Sequence, residues 1–237
     1  MSNTAILLAA GHGTRMGGPV PKQYMDLSGI PLAARSLAAL GSSDVIDDIV
    51  LVIPDGDEVY VREHILPAAG QAARKVRAFA PGGAERYLSV LSGIDAIAWD
   101  CGLVFIHDAA RPFIDRASLA RLAAAAESEG TAVAGMPSKD TVKITDADDC
   151  VVTTPDRSRV WIVQTPQVFD RALITEAYHR MRDALEAGQV RIPITDDAMV
   201  VEQFLHRRVR LVEATYRNIK VTTPEDLLIA EAFLAGR

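Results

Sequence analysis

Two cations, Arg15 and Lys22, stand in the segment Ala5-Ile-Leu-Leu-Ala-Ala-Gly-His-Gly-Thr-Arg-Met-Gly-Gly-Pro-Val-Pro-Lys-Gln-Tyr24, where an apolar run opens into a glycine-bearing loop. That layout suits a polyphosphate. Gly11 and Gly13 can adopt positive φ and let backbone N–H groups approach an anion with no Cβ in the way, and the cations add charge that backbone dipoles cannot match. The loop matches neither common nucleotide fingerprint. A dinucleotide loop needs G-x-G-x-x-G, but Met16 holds the third glycine position and Gly17 comes one residue late. Asp55 stands well past the spacing of about 20 residues at which a ribose-binding acid is expected. No stretch reads G-x-x-x-x-G-K-[ST].

Three further groups could work on the same ligand. In Pro81-Gly-Gly-Ala-Glu-Arg-Tyr-Leu-Ser-Val90 the paired glycines let a planar base lie against the backbone, with Ser89 to add a hydrogen bond and Arg86 one turn before it. In His107-Asp-Ala-Ala-Arg-Pro112, Asp108 and Arg111 share a loop where they can hold a metal-phosphate group and fix each other's geometry. His107 reads as a satisfied histidine at the edge of the core, and the other histidines are scattered, so no zinc site is expected. The last group is a set of short polar phrases: Thr154-Pro-Asp-Arg157, Thr165-Pro-Gln167, Ile194-Thr-Asp-Asp197 and Asn218-Ile-Lys-Val-Thr222. Each of them alone could be a turn, a cap or a surface strand.

The elements that must carry these loops follow from hydrophobic periodicity. Strand-like runs at residues 6–9, 49–53, 76–79, 103–106 and 132–136 alternate with helical patterns at 31–40, 57–66, 85–98 and 118–129. Such alternation predicts an α/β fold with a mostly parallel central sheet and helices on both faces, with the ligand outside the carboxyl ends of the strands. The pattern changes between Ser138 and Pro166. Residues 141–146 and 150–154 are β-rich and joined by Ala147-Asp-Asp149, which predicts a protruding hairpin arm. Two strands alone are marginal in water, so the arm is expected to lean on a second subunit. Helices at 171–187, 197–205 and 224–234 and a strand at 209–213 complete the chain, with Thr223 as an N-cap.

At 237 residues, 49% hydrophobic and 24% charged, the composition is that of an ordinary globular protein, read here as a single domain over residues 1–237 with an arm at about 138–165. The net charge of −6, without a separate basic cluster, argues against a nucleic-acid partner. No apolar run is long enough for a membrane span, and the run at 5–10 lacks the basic flank of a signal peptide, so a cytoplasmic location is expected. Cys101 and Cys150 have no metal-ligand spacing and read as thiols.

Taken in order, Leu8-Ala-Ala-Gly with Arg15-Met and Pro21-Lys-Gln-Tyr, His107-Asp-Ala-Ala-Arg-Pro and Asn218-Ile-Lys-Val-Thr resemble the 2-C-methyl-D-erythritol 4-phosphate cytidylyltransferases, over about residues 4 to 233. The resemblance implies a Rossmann-like nucleotidyltransferase fold, a homodimer through the β-arm, and a divalent cation, usually Mg2+, with no dedicated set of protein ligands and Asp108 as the candidate contact. It implies that Arg15 and Lys22 bind the CTP triphosphate and stabilise the transition state, and that Ala10, Gly11, Gly13, Gly82, Gly83 and Ser89 take part in CTP binding. It further implies that Asp108, Thr141, Arg157, Thr165, Thr195 and Lys220 form the sugar-phosphate pocket, with Thr141 and Arg157 reaching in from the partner's arm. Arg157 and Lys220 would position the attacking phosphate, which joins them to Arg15 and Lys22 as catalytic residues. Ala84 departs from the acid often found after the paired glycines, and Tyr87 and Leu88 replace smaller or polar residues on the outer wall of the base pocket.

Three rival readings remain on the sequence. A ribitol 5-phosphate cytidylyltransferase shares the glycine loop, the paired glycines and Asn-Ile-Lys-Val-Thr. A non-catalytic nucleotide-binding module would have little need for cations aimed at a transition state. An NAD-dependent dehydrogenase is weakened by the broken fingerprint.

Overall fold

Residues 1–11, 21–190 and 193–236 are described by a computed structural model of the chain. Apolar runs with few polar interruptions form the parallel strands, buried on both faces except at the edge strand Val76–Pro81, as expected for a parallel sheet covered on each side. They are β1 (Thr4–Leu8), β4 (Asp48–Ile53), β5 (Val76–Pro81), β6 (Leu103–Asp108) and β7 (Thr131–Pro137), with β2 (Asp26–Leu27) and β3 (Ile30–Pro31) forming a small separate hairpin. A second hairpin, β8 (Ile144–Thr145) with β9 (Val151–Thr153), stands where the arm was expected. The long strand β10 (Trp161–Asp170) and the short β11 (Leu211–Glu213) complete a seven-stranded sheet in the order β11-β7-β10-β6-β1-β4-β5.

Strand β10 corrects the sequence reading. It runs antiparallel between β6 and β7, in the interior of an otherwise parallel sheet. Pro166 disguises it, because proline cannot donate to a ladder and usually marks an edge. Here the pairing register with β7 shifts between Val163 and Gln167, which takes the proline out of the regular ladder. The expected helix at 57–66 also differs. It is helical from Glu58 to Ala68, but with a wider turn over Val61–Ile65.

Alternating side chains build two cores. Ala5, Leu7, Ile49, Leu51, Leu103, Phe105 and Val168 face the helices Leu32–Gly41 and Arg116–Glu129. Ile6, Val50, Val52, Val104, Ile106 and Phe169 face the helices Arg86–Asp95, Arg171–Glu186 and Asp197–Leu205. A smaller cluster of Leu27, Leu32, Ala110, Val221 and Ala230 ties the last helix, Pro224–Leu234, to the carboxyl end of β6. Thr223 caps that helix with a reciprocal capping box to Asp226.

Strand β10 is a structural member of the sheet, with Phe169 fully buried. Phe169→Ala is therefore expected to lower unfolding free energy by about 3–5 kcal/mol. Urea unfolding would measure this, and a loss below about 1 kcal/mol would contradict the central placement of β10.

Candidate active site

Backbone bonds carry the strand ladders past their carboxyl ends and bring three loops together. Ala9 N–H donates to Val52 (2.7 Å), Gly82 N–H to Ile53 (2.8 Å) and Ala109 N–H to Leu8 (3.0 Å). The cavity there has a volume of about 260 Å3, and Ala10, Gly11, Lys22, Gly83, Ser89, Arg86, Asp108 and Lys220 are among its lining residues. Broader hollows of about 570 and 630 Å3 lie at the opposite end of the strands, around Met1, Gly102 and Asp170. Those are the amino ends of β1 and β6, where parallel sheets do not place ligands.

On the glycine side, Ser89 Oγ accepts from Gly83 N–H at 2.9 Å and fixes the turn that precedes the helix. A Cβ on Gly82 would fall 2.2 Å from that of Ala10, and one on Gly83 would fall 2.5 Å from that of Leu88. Both positions therefore require glycine for close approach of the loops. Lys22 starts the turn Lys22–Tyr24, which is tied to the neighbouring loop by the bond from the Tyr24 hydroxyl to Asp57 (2.9 Å).

On the acid side, Asp108 at the end of β6 is paired through both oxygens. Arg86 Nε lies 3.1 Å from Oδ1 and Lys220 Nζ 2.7 Å from Oδ2. Burial would raise the carboxyl's pKa, but the charges of Arg86 and Lys220 outweigh it and hold the group well below the usual carboxylate range. Arg86 also forks onto Asp197, at 2.8 and 2.9 Å, and the Tyr178 hydroxyl donates to the same carboxylate at 2.5 Å.

Lys220 is delivered by the segment after β11. Asn218 Nδ2 donates to Gln164 Oε1 (3.0 Å) and to the Thr165 carbonyl (2.8 Å), and Val221 N–H donates to Ala110 (2.8 Å). Arg111 was expected to face the ligand beside Asp108. Instead its guanidinium turns into the protein and donates to the Asn218 carbonyl at 2.8 Å, so the cation beside Asp108 on the helix side is Arg86.

His107 is fully buried behind this wall, with Nε2 3.0 Å from the Arg111 carbonyl and Nδ1 3.0 Å from Thr165 Oγ1. Thr165 Oγ1 in turn accepts from Asp108 N–H at 3.0 Å. A single assignment satisfies every partner: a neutral ring that donates from Nε2 and accepts the Thr165 hydroxyl proton at Nδ1. Burial pushes the ring pKa down to about 4. The Thr165 hydroxyl, expected in the sugar-phosphate pocket, links the His107 ring to the Asp108 backbone.

The other expected residues are dispersed. Thr141 and Arg157 are exposed on the arm, with Arg157 Nη1 donating to the Lys139 carbonyl at 3.0 Å, and neither lines the cavity. Thr195 is exposed two residues before Asp197, with Oγ1 3.6 Å from Met199 Sδ. Gly13 and Arg15 lie outside the described residues. Sequence reasoning gave no role to Asp197, Tyr178 or Gln167. Gln167 holds the 196–198 turn through Asp196 (3.1 Å) and the Ala198 N–H (2.8 Å). Among the described residues, no group of three or more acids, histidines or cysteines could hold a metal, and no helix is long and apolar enough to cross a membrane.

A cleft at the carboxyl ends of a mostly parallel sheet, with a glycine-turn wall facing lysines and a paired acid, defines a nucleotidyltransferase type of fold and site. The family model for 2-C-methyl-D-erythritol 4-phosphate cytidylyltransferase matches residues 3–236. A relative of that name from Lachnospira eligens is 43% identical over 99% of this chain and 100% of its own length. One from Geobacter metallireducens is 42% identical over 99% of this chain and 98% of its own. The crystal structure of the 4-diphosphocytidyl-2C-methyl-D-erythritol synthase from Anaerococcus prevotii superposes with a TM-score of 0.83 at 33% identity, covering 99% of this chain and 96% of that one. The chain belongs to the 2-C-methyl-D-erythritol 4-phosphate cytidylyltransferase family.

The histidine makes the fold acid-sensitive in a defined window. Its folded pKa of about 4 lies below the ordinary 6.5, so the unfolded chain binds the extra proton between those values. The stabilisation is complete above about pH 6.5 and falls by about 3 kcal/mol as pH drops to 4. The depressed carboxyl of Asp108 adds its own loss only at lower pH. NMR titration of the His107 ring would check this: no protonation above about pH 5 is expected, and a midpoint near 6.5 would contradict the buried neutral ring.

Proposed function

We propose that the chain transfers the cytidylyl group of CTP to the phosphate of 2-C-methyl-D-erythritol 4-phosphate and releases diphosphate, a step in isoprenoid precursor synthesis. The observation that carries the reading is the shared cavity of Lys22, Lys220, Asp108 and the Gly83–Ser89 turn, in a chain of this family. The names of the matched relatives do not favour ribitol 5-phosphate as acceptor.

The acceptor phosphate has a second pKa of about 6 and is mostly a dianion near neutral pH, so it needs no general base. The neighbouring groups agree with that chemistry. Asp108 is a poor base because two cations stabilise its charge, and His107 Nδ1 already accepts from Thr165. Catalysis then rests on positioning and on neutralising charge as the acceptor oxygen attacks the α-phosphorus in line and diphosphate departs. Cytosine lies against the Gly82-Gly83 backbone and Ser89, and Lys22 with Arg15 receives the triphosphate. Lys220 and Arg157 hold the acceptor phosphate, beside Thr141 and Thr195.

Because both Asp108 oxygens already face cations, a Mg2+ ion would be held here mainly by phosphate oxygens of CTP and by water. Asp108 would be its protein contact, and the ion would neutralise phosphate charge. The chain acts as a homodimer in the cytoplasm in this reading. Ile144, Val151, Val152 and Ile162 leave the arm's apolar side chains exposed, and a second copy covering them would bring Thr141 and Arg157 to its own cavity.

Lys22→Ala is expected to lower kcat by about 10²–10³, the loss typical of one transition-state donor, while Arg157→Ala mainly raises the KM for the sugar phosphate. Diphosphate release under steady-state conditions measures both, and wild-type turnover by Lys22→Ala would remove its role. Mixing the two variants should regenerate activity in heterodimers that carry one intact site. Absence of recovery after confirmed subunit exchange would contradict arm sharing.

A further inference from the structure

The bridge from Arg86 to Asp197 has no part in the reaction described so far, yet it joins the two walls of the cavity. Arg86 sits on the first turn of the helix that also carries Ser89, and Asp197 starts another helix 111 residues later. Asp197 is fully buried and held by the Tyr178 hydroxyl. Its turn is fastened to β10 through Gln167. Arg86 spends Nη1 and Nη2 on Asp197 and turns Nε toward Asp108 Oδ1.

We propose that Arg86 is a positioning residue for the acceptor phosphate, a role that rests on the cytidylyltransferase reading. By occupying Oδ1, Arg86 restricts Lys220 to Oδ2 and leaves its ammonium facing the cavity. Without Arg86, the Asp108 carboxylate is free to rotate and take Lys220 on both oxygens, which withdraws that cation from the incoming phosphate. The same bridge sets the position of the loop bearing Thr195 relative to Asp108. Both effects fall on the acceptor pocket, whereas the Gly83 to Ser89 bond that shapes the base pocket involves no atom of Arg86.

The planar fork is essential to this function. A lysine carries the same charge but cannot place two parallel donors on Asp197 and a third on Asp108. Charge alone therefore does not substitute. Asp197 also accepts from the Tyr178 hydroxyl, but its link to Asp108 runs through Arg86, so removing either partner should produce the same loss at the acceptor pocket.

The test is a set of three variants, Arg86→Gln, Arg86→Lys and Asp197→Asn, with the double variant Arg86→Gln/Asp197→Asn. Each is measured for diphosphate release with CTP and methylerythritol phosphate and for acceptor affinity by calorimetry, at a temperature where circular dichroism shows the variant folded. Each single variant should lose roughly 10²-fold in kcat/KM for the acceptor and weaken acceptor binding, with the KM for CTP changed by less than about threefold. The double variant should be no worse than the poorer single. Wild-type acceptor kinetics in Arg86→Lys, equal losses toward both substrates, or losses that multiply in the double variant would each overturn the proposal. Absence of wild-type turnover would contradict the functional reading instead, and the calorimetric comparison of the same proteins would still decide the role of Arg86.

Discussion

One carboxylate, Asp108, has to remain charged at the end of a buried strand. That is costly unless each oxygen meets a cation, and the chain supplies two from distant places, Arg86 and Lys220. The pairing does more than offset burial. It ties the helix after the paired glycines, the end of β6 and the segment after β11 to a single point, so the walls of the cavity cannot move independently. The pairs reach solvent on one side, where the side chains of Arg86 and Lys220 remain 29% and 39% exposed.

Behind the carboxylate the stack continues into the core. His107, Thr165, Asn218 and Gln164 form a wall in which nearly every donor finds an acceptor, Tyr178 holds Asp197 from the far side, and Gln167 fixes the residues flanking it through Asp196 and the Ala198 N–H. Such polar layers are costly when broken and specific when complete. Here they allow a sheet with apolar faces to present charged groups at its edge in fixed positions. The division of labour is physical: the apolar alternation of the strands decides where the edge is, and the polar layer decides which groups face outward there.

Much of the scaffold was legible in the sequence because it follows local rules. The parallel strands stood out as apolar runs, the loops at their carboxyl ends carried the glycines and cations, and Thr223 announced a cap that the structure shows. The same rules hid β10, since Pro166 breaks the pattern that marks an interior strand and the register shift that accommodates it has no local signal. They also misplaced Arg111. The sequence put Arg111 on the loop of Asp108 and Arg86 beside Ser89, and only tertiary geometry shows that Arg111 turns toward Asn218 while Arg86 turns toward the acid. Asp197 was invisible as a partner because its contact crosses 111 residues of chain. The arm could be read as a hairpin from its β-rich runs, and the structure pairs Ile144–Thr145 with Val151–Thr153 there.

A crystal structure of the chain with CTP bound would test the central claim, that one cavity at the carboxyl edge of the sheet brings the nucleotide to Lys22 and Lys220. The account predicts cytosine against the Gly83–Ser89 turn, the triphosphate on Lys22 and the α-phosphate facing Lys220 beside Asp108. Nucleotide seated at the opposite end of the strands, in the hollow beside Cys101 and Arg171, with the Lys22 cavity empty, would contradict it.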